Sequence, residues 1–386
     1  MLNWRAEILK SEEDKLGSLT VGKLIMLIAV SLALITSASS SSVASGAGIV
    51  AKQSELMGLE SSTRKLEDTS PSPQVALNGH NGPITDLIYS PDGSVIATSS
   101  LDGSIRLWDA TDGSPIRTLD GHRGGVNSIA FSPDGQQIVS GSDDRTAIIW
   151  NVADGSGQRV LSSLMESRVV EVEYSPDGSL VALGGNRCVV ELRRVPSGIL
   201  SRTIVPIGCA PGSPGGSVDF WGLEFSSDGS RVLTGDGRPC CGGGILQWTE
   251  TANYVPPDIL KTGIVVVRDM ALSPDGSEIA LAFVGLSDFW LLDAATGVPK
   301  AVLSDHVFRV NDVEYSPDGS LLASASNDTG IGIWRASDGA LLQMLHEHRM
   351  QATSLAFSPD GLNLATGSQE GEIHIWNVED VLSSQG

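Results

Sequence analysis

The sequence predicts an all-β protein: a seven-bladed β-propeller of four-stranded blades, closed by an N-terminal strand that completes the last blade. Three observations predict it. First, the phrase Tyr89-Ser90-Pro91-Asp92-Gly93 recurs with its Ser at Ser132, Ser175, Ser226, Ser273, Ser316 and Ser358. A period just above about forty residues marks a repeat array. Second, each period holds four short runs of β-branched and apolar residues separated by Gly, Pro, Asp and Ser, which is hairpin patterning. Third, the two ends are complementary. The last repeat stops after its third run, Ile373-His374-Ile375-Trp376-Asn377-Val378, and a lone run, Gln74-Val75-Ala76-Leu77, precedes the first repeat. Pairing these two runs removes an exposed sheet edge.

The first repeat shows the unit. Ile84-Thr85-Asp86-Leu87-Ile88-Tyr89 is the first strand. Pro-Asp-Gly then supplies a turn, because proline presets φ and glycine tolerates φ > 0. Ser94 to Ser100 is the second strand, Leu101-Asp102-Gly103 the next turn, and Ser104 to Trp108 the third strand. Pro115 to Leu119 is the fourth. Four strands in about forty residues make a propeller blade.

These repeats resemble the WD-repeat family. A Trp stands at one fixed offset from the turn Asp in four repeats: Trp108, Trp150, Trp334 and Trp376. Gly79-His80 and Gly121-His122 match the family's Gly-His pair, and Asp305-His306 and Glu347-His348 are weakened versions. The tight-turn Asp appears as Asp102, Asp144 and Asp328, with Glu370 substituting in the last repeat. The resemblance implies buried hydrogen bonding among His80, Asp102 and Trp108, among His122, Asp144 and Trp150, among His306, Asp328 and Trp334, and between His348 and Trp376. It also implies a rigid scaffold that binds a protein or peptide across the top-face loops.

Four segments follow from composition. Residues 1–23 are charged. Residues 24–38 are apolar and precede small residues, which describes a secretory signal or an uncleaved anchor; both readings stand, because Glu7, Glu12, Glu13 and Asp14 lengthen the charged part. Residues 39–73 form a Ser-rich flexible linker, and 74–386 the propeller. A secreted or periplasmic protein, or one anchored through 24–38, is expected. The net charge is −21, from 46 acidic and 25 basic residues among 386. That charge excludes a phosphate backbone as the expected partner and leaves the N-terminal segment as the sole membrane contact. A monomeric ring is expected.

Repeats three, four and five depart from the pattern. Arg193 takes the Trp position in the third, and Leu292, one residue late, takes it in the fifth. None of the three has the Gly-His pair. The four cysteines cluster there: Cys188, Cys209, Cys240 and Cys241. A disulfide from Cys209 to Cys240 or Cys241 and one from Cys188 to Cys209 are competing pairings that sequence does not decide; either fits an oxidising compartment. Zinc is disfavoured, because adjacent cysteines do not match the usual ligand spacing. Trp221 and Arg238, beside or within long Gly-rich loops, are candidate contact residues.

The first strands line the central channel. Asp86, Glu171, Asp269 and Asp312 occupy one repeated position, and Glu173, Glu224 and Glu314 another two residues on, so they share a strand face. Two readings result: polar groups that bond the neighbouring blade, or an acidic channel that binds a cation such as calcium. No catalytic motif is present: no Gly-x-Ser-x-Gly, no phosphate-cradling Gly-Lys pattern, no His-Glu-x-x-His. No cofactor is called for. The expected function is a non-enzymatic interaction scaffold; the alternative is a cell-envelope enzyme or ligand sensor that uses the acidic channel.

Overall fold

The computed structural model describes residues 71–162, 167–185, 189–204, 222–236, 244–249, 260–261 and 266–383. All of the sheets lie in a compact unit, Thr69–Gly386. The protein is an all-β propeller of four-stranded blades. Among the described residues there are seven such sheets, and every neighbouring pair of strands whose register is resolved is antiparallel.

The first sheet shows the order from the axis outward: Ile84–Tyr89, Val95–Ser100, Ser104–Asp109 and Pro115–Asp120. Six sheets follow this sequential order. The seventh holds Ala352–Phe357, Asn363–Ser368 and Glu372–Asn377, with Val75–Asn78 as its outermost strand. Val75 pairs with Ile375, and Asn78 with Glu372. A six-residue helix, Val378–Ser383, follows the last strand and buries Val378 and Val381. The sequence reading missed this helix, which is too short to show a helical period.

Burial explains the composition of each strand. A second strand such as Val95–Ser100 has five consecutive buried residues, because neighbouring sheets cover both of its faces. Strands covered on both faces lose polar alternation. The fourth strand, Pro115–Asp120, buries only Leu119 and is otherwise mostly exposed. The apolar core is divided among the seams between sheets. Trp150, Ile148 and Ile138 meet Ala97, Ile105 and Leu107 at the first seam. At the seam between the seventh and first sheets, Ile373, Ile375 and Leu77 meet Ile84, Leu87 and Ile96.

The recurrent turns are built alike. The Ser90 hydroxyl donates to Asp92 Oδ1 at 2.6 Å and accepts from Val95 N at 2.9 Å. Gly93 N donates to Ser90 O, with Gly93 at φ 73°. A glycine carries this left-handed φ without strain. The same Ser–Asp bond closes the turns at Ser132, Ser226 and Ser358. These turns share one face of the propeller; the connections between sheets lie on the other, called here the top. Among the described residues, no helix is long and apolar enough to cross a membrane. The charged segment, the apolar segment and most of the linker lie outside the described residues.

Candidate functional site

Among the described residues, three repeats carry a four-residue hydrogen-bond chain from the core to the top face. Trp108 Nε1 donates to Thr98 Oγ1 at 2.9 Å. Thr98 Oγ1 meets His80 Nε2 at 2.9 Å, and His80 Nδ1 meets Asp102 Oδ2 at 3.0 Å. The directions are fixed at both ends, because an indole N–H only donates and a carboxylate only accepts. The chain is therefore complete with His80 neutral and its proton on Nδ1. Burial lowers the His80 pKa, against the pull of Asp102, which keeps the ring neutral. Trp150, Ser140, His122 and Asp144 repeat the arrangement, as do Trp334, Ser324, His306 and Asp328.

The outer end of each chain holds a top-face connection. Asp102 Oδ2 also accepts from Asn81 N, Asp144 Oδ2 from Arg123 N, and Asp328 Oδ2 from Val307 N, at 2.8–2.9 Å. Each Asp thus fixes the turn between its second and third strands and the backbone that enters its sheet. Burial opposes the Asp102 charge, but bonds from Ser104, Asn81 and His80 hold its pKa down at about 2. Asp144 and Asp328 are held down to about 2 in the same balance. The cost appears in the next residue. Arg145 and Thr329 sit at φ 72° and 73°, where the first repeat has Gly103 and the last Gly371.

The last repeat keeps only part of the chain. Trp376 Nε1 donates to Thr366 Oγ1 at 3.0 Å, and Thr366 meets His348 Nε2 at 2.8 Å. Glu370 stands at the Asp position, and His348 Nδ1 has no partner among the described residues. His348 stacks on His374 instead.

The third sheet uses different chemistry. Arg193, in the Trp position, pairs with Val181 as Trp108 pairs with Ile96; its guanidinium donates to Glu191, with Nε at 2.8 Å from Oε2, and to Gly198 O at 3.2 Å. Glu191 is fully buried and Arg193 nearly so. The sequence reading noted Arg193 but missed its partner. The signal was available, since residues two apart on a strand share a face. In the fifth sheet Leu292 pairs with Ile279, as Trp108 pairs with Ile96. Leu292 is fully buried against Leu233 and Leu281. Cys188, Cys209, Cys240, Cys241, Trp221 and Arg238 lie outside the described residues.

The channel cavity, about 460 Å³, is lined by seven carboxylates: Asp86, Glu171, Glu173, Glu224, Asp269, Asp312 and Glu314. Their bonds run between sheets. Asp86 Oδ2 accepts from Ile129 N, Asp269 Oδ2 from Val313 N, and Asp312 Oδ2 from Leu355 N, each at 2.8 Å. Glu173 and Glu314 accept from Phe225 N and Phe357 N, also at 2.8 Å. Glu171 accepts from Ser128 Oγ at 3.2 Å. Burial raises the Asp86 pKa to about 6 and that of Glu314 to about 8. Burial also pushes Glu171 and Asp312 well above the ordinary range and raises Asp269. Among the described residues, no group of three or more His, Cys, Asp or Glu side chains is placed to hold a metal ion.

The family model described as "WD domain, G-beta repeat" matches residues 71–109, 113–151, 297–335 and 339–377. The chain carries WD40 repeats in a β-propeller. The four WD40 matches span the four repeats whose Trp bonds through Ser or Thr to His. Residues 152–296, where no repeat has the Gly-His pair, lie outside these matches. No curated protein matches the chain.

Proposed function

We propose that this WD40 propeller is a non-enzymatic scaffold that binds a protein or peptide across its top face. The observation that carries the reading is the pinning of the top-face connections. Asp102, Asp144 and Asp328 each hold the backbone of an incoming connection. Behind that rigid frame the connections differ: Asn81-Gly82-Pro83, Arg123-Gly124-Gly125, Val307-Phe308-Arg309 and Arg349-Met350-Gln351. Fixed backbone with varied side chains lowers the entropic cost of binding and leaves specificity to the loops. WD40 propellers generally bind protein partners, and this chain fits that use.

Within the proposal the seven sheets act as one closed ring, sealed by the strand Val75–Asn78 on the last blade. The pairing of that strand and the apolar seam beneath it support this part. We further propose that the apolar segment 24–38 directs export or holds the protein at a membrane. A scaffold function needs no catalytic group, and nucleic acid is disfavoured by the charge of −21.

A photo-crosslinking residue placed at Arg123 or Arg349 in the full chain, expressed in its native cells, tests the platform. Capture of a discrete protein from those positions, and not from Asp92 or Asp318 on the turn face, is expected. Capture from the turn face alone overturns it. Intact mass of the fractionated protein tests export: loss of roughly the first forty residues, or full-length protein in the membrane fraction, is expected. A full-length soluble chain overturns that part.

A further inference from the structure

Of the four repeats that carry the His, only the last lacks the Asp, with Glu370 in its place. Of these four, only the last takes its outermost strand, Val75–Asn78, from the other end of the chain. The two exceptions meet at His374. That residue lies on Glu372–Asn377, the strand that receives Val75–Asn78, and it opposes Ala76 there. Directly opposed residues share a sheet face, so Ala76 lies beside the His374 ring. His374 also stacks on His348, with ring centroids 4.4 Å apart. Both rings are buried, His348 at 3 % and His374 at 7 % exposure.

The stack has no place for an added proton. An imidazolium carries N–H on both ring nitrogens. Thr366 Oγ1, 2.8 Å from His348 Nε2, can accept from one of them. His348 Nδ1 has no partner among the described residues, and neither has His374 Nδ1. In the first, second and sixth repeats the same His Nδ1 meets an Asp carboxylate at 3.0 Å. A buried charge without a partner is costly, and a like charge beside it adds to the cost. Burial, and then the neighbouring His374, holds the His348 pKa down at about 3. Burial also lowers His374, against the pull of Glu372 and Glu347. His346 and Arg349 share the connection with His348, and Glu370 stands in the adjoining turn. The strands Leu341–Leu345, Asn363–Ser368 and Val75–Asn78 carry no charged side chain.

We propose that the His348–His374 pair is an acid-operated latch on ring closure: proton uptake by the pair releases Val75–Asn78 from Glu372–Asn377. Departure of that strand takes Ala76 away from His374 and lets water reach the ring. Val75–Asn78 fully buries only Leu77, so its attachment depends on the backbone ladder and that one side chain. With the strand in place the rings stay neutral; with it released they titrate near about 6.5. Closure is therefore complete above about pH 6.5 and weakens as pH falls below it. The inference rests on the proposed ring closure and adds its control by acid.

Hydrogen exchange of the full-length chain, read by mass spectrometry and corrected for intrinsic rates, tests the latch. Between about pH 7.5 and about pH 5, protection of Val75–Asn78 is expected to fall about tenfold or more. Pro115–Asp120 is the outer strand of the first sheet, where His80 has Asp102. Its protection is expected to change less than about twofold. Glu370→Asp supplies His348 Nδ1 with the carboxylate that the other repeats have, and His374→Gln removes one titrating ring. Each variant is expected to lose most of the acid response, and an unchanged melting temperature at about pH 7.5 establishes that it folds. Equal loss of protection in the two strands, or a full acid response in both variants, overturns the latch. Protection of Val75–Asn78 at both pH values also overturns it and leaves ring closure standing. A strand already unprotected at about pH 7.5 overturns ring closure itself, and the latch with it.

Discussion

His348 and His374 lie face to face, with ring centroids 4.4 Å apart and planes 5° from parallel. Neither Nδ1 has a partner among the described residues. Burial, and then the neighbouring His374, pushes the His348 pKa down to about 3. Burial also lowers His374, while Glu372 and Glu347 pull it the other way. His374 lies on the strand Glu372–Asn377 that receives Val75–Asn78, where it opposes Ala76; His348 lies in the connection before Ala352–Phe357.

This stack makes the last sheet acid-sensitive. Unfolded histidines take up protons as pH falls through about 6.5, whereas folded His348 resists until about 3. Its contribution to stability is present above about pH 6.5 and is lost as pH falls below it. Hydrogen exchange, corrected for intrinsic rates, is expected to speed up at Glu372–Asn377 between pH 7 and pH 5 more than at Ser104–Asp109. Equal changes in the two strands would count against the stack as the cause.

The channel carboxylates act in the opposite direction. Their folded pKa values are raised, so the unfolded state releases protons first as pH rises. Stability therefore falls from about pH 4 toward the Glu314 value of about 8. Glu314→Gln keeps an oxygen for Phe357 N and removes the charge. It is expected to raise the melting temperature at pH 9 by roughly 2 °C, with little effect at pH 5. A variant less stable than the parent at pH 9 would show that Glu314 is ionised and needed there.

The Glu191–Arg193 pair predicts a pattern of single and double variants. Removing either partner alone leaves a buried charge, at a cost of roughly 3–5 kcal/mol. Glu191→Leu combined with Arg193→Met is expected to recover most of that loss in urea denaturation. A double variant as unstable as the sum of the singles contradicts the pairing.

Thr329 is a β-branched residue at φ 73°, a conformation that such residues rarely adopt. It is held there because Asp328 accepts from both Val307 N and Gly330 N. Thr329→Gly is expected to stabilise the protein by about 1 kcal/mol, measured as a shift of the urea midpoint without a change in slope. A destabilised variant would mean that the Thr329 side chain makes a contact worth more than the strain.

Repeated features were legible in the sequence because repetition separates signal from chance. The turn at Ser90, the Trp position, and the alignment of Leu292 one residue late all follow from position within the period. Single features were not legible. Glu191 looks like an ordinary strand residue until Arg193 is placed inside a seam. The His374 stack has no counterpart in another repeat. The helix Val378–Ser383 is a single short segment whose docking depends on buried Val378 and Val381.

The channel shows the same division. Sequence placed seven carboxylates on equivalent strand faces but left open whether they face a ligand or a neighbour. Only the assembled sheets decided that Asp86, Asp269 and Asp312 each bond a backbone N–H of the next sheet. The sequence by itself determined the repeat unit, its turns and the identity of the His, Asp and Trp positions, because these depend on local backbone chemistry and spacing. The tertiary structure alone decided which polar groups meet and which stay unpaired, and how far burial moves their pKa values. Those outcomes depend on tertiary contacts, such as His80 with Asp102, 22 residues apart, or Asp86 with Ile129, 43 apart, and on the exclusion of water that packing brings.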